Sequence, residues 1–295
     1  MRYLCMTVTE ASPQGGRNLD RLVDSLQRQD GEVDLVLVVR GGARQPVRRQ
    51  RGRVTVHPLL ASHVVGLSVA RNLAQEHARR LGLLERVAVV SFPDDDCRYP
   101  DGLLSRVAGH LARSGCECVT GAYGPSIEEV DRRRFRLGDA SLTPRLVMRA
   151  GCSGSMFFTG RAVRAIGDFD VRLGLGAPYG ASEDADYLLR ALALGLPAVY
   201  RPRDVVVLHP YKVHRPAEYY VGNVAVLAKH AGHLAGIRLL LARRLLHGML
   251  LVTRSNMAFA HLRRALDASC VMGLDRYRQN PRCNSIAAQE RAACR

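Results

Sequence analysis

The stretch Arg86-Val-Ala-Val-Val-Ser-Phe92-Pro-Asp94-Asp95-Asp96 decides the fold. Its apolar, β-branched run has no polar alternation, as expected of a strand covered on both faces of a parallel sheet. It ends in three carboxylates, placed at the carboxyl end of a buried strand. That edge of an open α/β sheet is where ligands bind. Three adjacent carboxylates repel one another unless a cation or hydrogen-bond donors compensate. Hard oxygens in that setting suit Mg²⁺ or Mn²⁺ bridging a diphosphate. The same triplet also reads as an acidic turn capping a helix that begins near Asp101. Taken alone, the stretch supports both readings.

Working outward, Tyr3 to Thr9, Val33 to Val39, Arg53 to His57 and Glu117 to Tyr123 read as further strands. Arg17 to Arg28, Val65 to Leu81 and Tyr99 to Ser114 carry helical spacing between them. This alternation predicts βαβ units, hence an α/β fold with a mostly parallel sheet flanked by helices. The pattern breaks down between Gly124 and Ala150. A strand follows over Gly151 to Thr159, a helix starts near Gly160, and Glu183 to Gly195 is helical. Ala198 to Leu208 reads as strand and loop, and from Pro216 onward the chain is helical with no strand signal. The expected division is therefore 1–211 and 212–295, with a disordered basic tail from about 280.

A second acidic cluster stands on Gly176-Ala-Pro-Tyr-Gly-Ala-Ser-Glu183-Asp184-Ala-Asp186. Carboxylates in a first helical turn are favoured by capping and the macrodipole. The glycine-rich loop before them reads as an active-site lid. One of these carboxylates, opposite a diphosphate site, would serve as general base on an acceptor hydroxyl.

Bulk properties narrow the field. The 295 residues carry a formal charge of +16, with 47% hydrophobic and 24% charged residues and no Trp. From Arg201 to Arg295 there are 16 Lys and Arg against five acids, so +11 of the +16 lies there. Such a surface faces an anionic membrane, a nucleic acid or a polyphosphate. The eight cysteines show no zinc-type spacing and read as reduced thiols of a cytoplasmic protein. The N-terminus enters a strand pattern directly, without a signal-peptide core, and no run of about 18 apolar residues predicts a membrane span.

Several motifs occur together: Gly66-Leu-Ser68-Val-Ala70-Arg71-Asn72, the Asp94-Asp95-Asp96 triplet, Gly151 to Gly160 with Gly167-Asp-Phe169-Asp170, Glu183-Asp184-Ala-Asp186, and Val207-Leu-His209. In that order and at that spacing the chain resembles glycosyltransferase family 2 from residue 3 to about 212. The resemblance implies an inverting, nucleotide-sugar-dependent enzyme with a GT-A, Rossmann-like catalytic domain. By position it implies that Asp94 and Asp96, with His209, hold Mn²⁺ or Mg²⁺. It places the donor against Arg71, Asn72, Asp94, Asp95 and Gly154. It assigns Asp184 as catalytic base, with Glu183 orienting it or sharing the role. Two departures stand out. Thr7-Val-Thr-Glu-Ala-Ser12 replaces the family's usual turn after its first strand, and Val39-Arg40-Gly41-Gly42 stands where a base-contacting Asp is usual. UDP-sugar is therefore only the default donor. The acceptor is expected to be a glycan, a lipid-linked compound or a small molecule, and no nucleic acid is expected.

In the C-terminal region Leu234, Ile237, Leu241, Leu245, Gly248 and Val252 form one helical stripe. It either packs on the catalytic domain or docks on anionic lipid at the inner face of the membrane. Two other functions fit parts of the pattern. One is a nucleotidyltransferase, whose triphosphate loop would be Pro13-Gln-Gly-Gly-Arg17. The other is a non-catalytic basic protein that binds membrane or nucleic acid on a degenerate scaffold.

Overall fold

The computed structural model describes residues 1–42, 49–61, 65–130, 138–210, 216–253 and 259–278. The expected disordered tail from about 280 lies outside them, as does position 211. The chain divides into two compact units: Met1–Ala177 with Glu183–Val213, and Pro178–Ser182 with His214–Arg295.

The first unit opens with β1 (Arg2–Glu10), α1 (Pro13–Gln27), β2 (Glu32–Arg40), β3 (Arg49–Arg51), β4 (Val54–Ala61), α2 (Leu67–Arg80) and β5 (Val89–Ser91). It continues through α3 (Leu103–Ser114), β6 (Cys118–Thr120), β7 (Ala122–Gly124), β8 (Ala140–Ser141) and α4 (Pro144–Ala150). A 3₁₀ turn at Ser153–Ser155 then leads to β9 (Met156–Phe158), α5 (Gly160–Ile166), α6 (Glu183–Ala193), β10 (Ala198–Tyr200) and β11 (Val206–Leu208). Among the described residues nine strands form one sheet in the order β3-β4-β2-β1-β5-β9-β6-β10-β8. The neighbours β4-β2, β2-β1, β1-β5 and β6-β10 run parallel. Strand β9 is antiparallel to both β5 and β6, and the edge strands β3 and β8 are also antiparallel.

Local chemistry explains where the elements begin. Helix α1 starts at Pro13 rather than at Arg17, because the Ser12 hydroxyl accepts from the Gly15 N–H and Pro13 fits the first turn. The unpatterned segment before Ala150 holds α4, capped in the same way by Thr143 before Pro144. The single strand expected over Glu117 to Tyr123 is two strands. At Gly121 a Cβ would collide with the Val205 carbonyl oxygen, and the chain leaves the large sheet there. Beyond it β7 pairs in parallel with β11, which carries the chain to His209.

Beneath the carboxyl end of β5 lies an aromatic cluster. Phe92 meets Phe158, Phe169 and Tyr187 edge-on at 5.1–6.2 Å, and Phe169 stacks on Tyr187 at 4.3 Å. Such pairs add about 0.5–1.5 kcal/mol each beyond area burial. They fix Phe92, and with it the start of the triplet two residues on.

The second unit contains α7 (Pro216–His230), α8 (Ile237–Thr253) and α9 (Phe259–Arg278), with α7 packed against both α8 and α9. Leu234 precedes α8. Of the remaining stripe, Ile237 and Gly248 are buried and Leu241, Leu245 and Val252 are half-buried. That stripe is therefore the packing side of the helix. A Cβ at Gly248 would collide with the Tyr220 hydroxyl, and the Arg244 guanidinium lies 5.3 Å over the Tyr220 ring. No helix among the described residues is long and apolar enough to cross a membrane.

Candidate active site

The triplet leaves β5 at the sheet's carboxyl edge, and each carboxylate meets a different element. Asp94 Oδ1 accepts from Arg71 Nη2 of α2 at 2.9 Å and from the Ser153 hydroxyl at 3.4 Å. Asp95 Oδ2 accepts from the Thr9 hydroxyl at the end of β1, 2.6 Å away. Asp96 turns toward His209, which follows β11. His209 Nε2 stands 3.2 Å from Asp96 Oδ1 and 3.4 Å from Asp94 Oδ2. Burial pulls the His209 pKa down, but Asp94 and Asp96 outweigh it and push it up to about 9.

The residues fit a divalent cation. His209 Nδ1 is buried without a hydrogen-bond partner, and Nε2 and Asp96 Oδ1 are buried with only their mutual 3.2 Å contact and Asp94, although native proteins rarely leave such groups unsatisfied. Asp96, Cys97 and His209 present donor atoms all within 4.8 Å of one another. The carboxylates and imidazole are the hard and borderline ligands that Mn²⁺ accepts. Burial first, and then Asp94, keeps the Cys97 thiol protonated well above its ordinary range.

Arg71 joins this cluster to the second one. It is 2% exposed; its Nη1 donates to Glu183 Oε1 at 3.1 Å while Nη2 holds Asp94, and its guanidinium lies 5.3 Å over Phe169. Burial opposes its charge, but Glu183, Asp94 and Asp184 together raise its pKa. Helix α6 thus begins with Glu183 locked to α2. Asp184 comes next, partly exposed, with Oδ1 accepting from the Ala185 N–H at 2.7 Å. Burial and then the Glu183 charge push its pKa up to about 7, against the Ala185 N–H and Arg71. Asp186 is fully buried and held by Arg190 at 2.9 Å, one turn along the helix. Immediately before α6, Ser182 has φ +72°, the only positive φ of a non-glycine among the described residues. Such geometry costs about 1–3 kcal/mol and concentrates at functional sites.

Several site expectations acquire different physical settings here. The Asn72 amide clamps the Phe169 backbone, donating to its carbonyl at 2.9 Å and accepting from its N–H at 2.7 Å. Gly154 makes room for sulfur: a Cβ there would sit 2.6 Å from Cys97 Sγ. The segment leading into the loop read as a lid is pinned to α2. The Ser68 hydroxyl bonds Leu173 O at 2.6 Å, and Leu67 N bonds Leu175 O at 2.8 Å. At Gly174 (φ +97°) a Cβ would crowd Ser68 Oγ and Glu183. Pro13-Gln-Gly-Gly-Arg17 forms the first turn of α1 rather than a triphosphate loop. Sequence reasoning missed Cys97, Ser153 and Thr9 as neighbours of the triplet. The signal for Cys97 was its position directly after Asp96.

A mostly parallel sheet whose carboxyl edge gathers an Asp-His cluster and, through one buried arginine, a helix-borne carboxylate pair is the arrangement expected of a GT-A glycosyltransferase. The chain belongs to glycosyl transferase family 2, whose sequence profile matches residues 12–162. Among solved structures it is similar to TarS of S. aureus (residues 1–349) bound to UDP, with TM-score 0.60 and 15% identity over 83% of this chain and 69% of that one. The UDP-GlcNAc complex of the same protein gives 0.59 and 14%, covering 83% and 70%. The mannosyltransferase PcManGT from Pyrobaculum calidifontis, in complex with GDP-Man and Mn²⁺, gives 0.54 and 15%, covering 92% and 86%. At these identities the likeness concerns the fold. No curated protein matches the sequence significantly.

Proposed function

We propose that the protein transfers a sugar from a nucleoside diphosphate donor to an acceptor hydroxyl of a glycan, lipid-linked or small-molecule substrate, inverting the anomeric centre. The observation that carries this reading is Arg71, which ties Asp94 of one carboxylate cluster to Glu183 of the other and so makes two clusters one site. Each cluster suits a different end of the reaction. Asp94, Asp96 and His209 would hold a divalent cation, Mn²⁺ or Mg²⁺. When bound, the cation supplies neutralising charge for the departing diphosphate. Asp95 is held by the Thr9 hydroxyl and would contact the donor.

Asp184 is the group for the acceptor. With its pKa near 7 it is poised to take a proton at neutral pH, where a general base works best. Glu183 is held by Arg71, so it orients the helix start and its charge keeps the Asp184 pKa high. A base acting from the acceptor side while the diphosphate leaves from the other gives a single displacement, hence inversion. Arg71 and Asn72 act as positioning residues, through the carboxylates and the Phe169 backbone respectively. At the end of β2, the place the family resemblance gives to the nucleobase contact, Arg40 pairs with Glu10 at 2.9 Å. A UDP-sugar is the default donor, and the similar structures hold both uridine and guanosine donors or products.

The test is thermal unfolding with UDP, GDP and other nucleoside diphosphates, each with Mn²⁺ and with EDTA. Ligand binding to the native state raises the transition. A metal-dependent rise, together with slow release of free sugar from the matching nucleotide sugar, is the expected result. Release of pyrophosphate instead, or no metal-dependent rise with any nucleotide, would overturn it.

A further inference from the structure

We propose that the outward face of α8 is a docking surface for an anionic lipid bilayer. This is independent of the catalytic reading and rests on the second unit alone. Helix α8 is apolar on two sides. Its inner side carries Ile237, Leu241, Leu245, Gly248 and Val252, as described above. Its outer side carries Leu239 and Leu246, each 56% exposed, with Met249 and Leu250 at 49% and 48%. At about 100° per residue, Leu239, Leu246 and Leu250 fall within roughly 40° of arc. An isolated exposed leucine needs no explanation, but an aligned row along one helix marks an interaction surface. A helix that meets water on one side ordinarily presents a polar stripe there.

The charges beside this row indicate the partner. Arg238, Arg243 and His247 are all exposed, and α8 contains no Asp or Glu. Arg243 and then His247 border the leucine row on one side; on the other, past Met249, lies Arg238, exposed but with its Nε donating to the Ala231 carbonyl at 3.0 Å. That is the arrangement of an interfacial helix, whose leucines enter the acyl boundary while flanking arginines reach the headgroups. A second copy of this chain is a poorer occupant. Antiparallel pairing of two α8 faces would set arginine near arginine with no carboxylate on the helix to answer them. Anionic phospholipid supplies the missing charge. At 17 residues α8 spans about 25 Å, too short and too interrupted by arginine to cross a bilayer, so it lies along the surface. The surrounding sequence adds to the attraction, since residues 214–295 carry 13 Lys and Arg against four acids, +9 of the chain's +16.

The experiment is flotation of the full chain with phosphatidylcholine vesicles, with and without about one-third phosphatidylglycerol, at about 0.05 and about 0.5 M salt. The expected result is binding to the anionic vesicles only, weakened at least about tenfold by the higher salt. The double variant Leu246→Glu/Leu250→Glu replaces only exposed side chains and should lower binding at least about tenfold at an unchanged thermal midpoint. Arg238→Ala/Arg243→Ala should weaken binding and flatten its salt dependence. Donor hydrolysis in solution should be the same in all variants, which separates this surface from the catalytic site. Absence of flotation, equal flotation with neutral vesicles, or binding unaffected by the leucine substitutions overturns the proposal. So does a concentration-dependent dimer that Leu246→Glu dissolves, since the row would then be an interface between copies.

Discussion

Replacing Asp184 by Asn should separate catalysis from stability in opposite directions. The side chain keeps its shape but loses its charge. In the folded protein the Asp184 pKa is raised from an ordinary 3.8 to about 7. Between those values the native state holds a proton that the unfolded chain has released, so stability falls as pH rises through this window. Above pH 7 the penalty is complete. A shift of about 3 pH units at about 1.4 kcal/mol each sets a ceiling of about 4 kcal/mol. Coupling to Glu183 and loss of the charged acceptor for the Ala185 N–H reduce what the amide recovers. We therefore expect Asp184→Asn to be more stable than the parent by about 2 kcal/mol at pH 8, or about 4–8 °C for a unit of roughly 200 residues. The advantage should shrink on acidification and vanish near pH 4. Transfer to the acceptor should fall by about 10²- to 10⁴-fold. In the parent, kcat/KM should show an acid limb with an apparent pKa near 7, because only the ionised carboxylate accepts the proton. Thermal unfolding from pH 4 to 8 and initial rates of transfer measure both sides. A variant less stable than the parent at pH 8, or an advantage independent of pH, refutes the burial argument. Near-normal transfer in Asp184→Asn with loss in Glu183→Gln would move the base one residue back.

Three further outcomes follow from the same site. Asp96→Asn should abolish metal-supported nucleotide binding with little change in fold; equal affinity in EDTA and Mn²⁺ by calorimetry in the parent would contradict the metal assignment. His209, with a pKa near 9, is protonated at pH 7.5 and must lose that proton to act as a ligand. Mn²⁺ binding there should release about one proton, read by titration in two buffers of different ionisation enthalpy; release that His209→Ala leaves unchanged would exclude this role. Arg71→Met removes the one cationic partner that Glu183 has among the described residues and should cost about 3–5 kcal/mol in urea unfolding, since two carboxylates lose a buried counter-charge; a loss under about 1 kcal/mol would show that water or other groups already satisfy them.

The positions that carry charge at strand and helix ends were legible in the sequence, because their signals are local. An apolar, β-branched run followed by three aspartates reads as a buried strand and the turn that leaves it, and Glu183-Asp184 after glycines marks a helix start. What escaped depends on contacts distant in sequence. The resemblance places Arg71 by the donor, but nothing local signals that the fold sets Asp94 and Glu183 on either side of it, 23 and 112 residues away. Asn72 likewise finds a backbone partner 97 residues on, at Phe169. The antiparallel insertion of β9 between β5 and β6 left no trace in the hydrophobic pattern, because a buried strand reads the same in either direction. The C-terminal stripe was visible but not its sense. Apolar residues on both sides of α8 give periodicity no way to tell the packed side from the open one.

Gly121 has neither charge nor side chain, yet the geometry around His209 passes through it. Only a residue without a Cβ lets the chain pass the Val205 carbonyl at the point where it departs from the large sheet. The short β7–β11 pair that follows delivers the imidazole to Asp94 and Asp96. A search for inactivating changes confined to ionisable positions would overlook this one. Gly121→Ala alters no group that touches a substrate, and it would push β11 aside and separate the histidine from both aspartates at once.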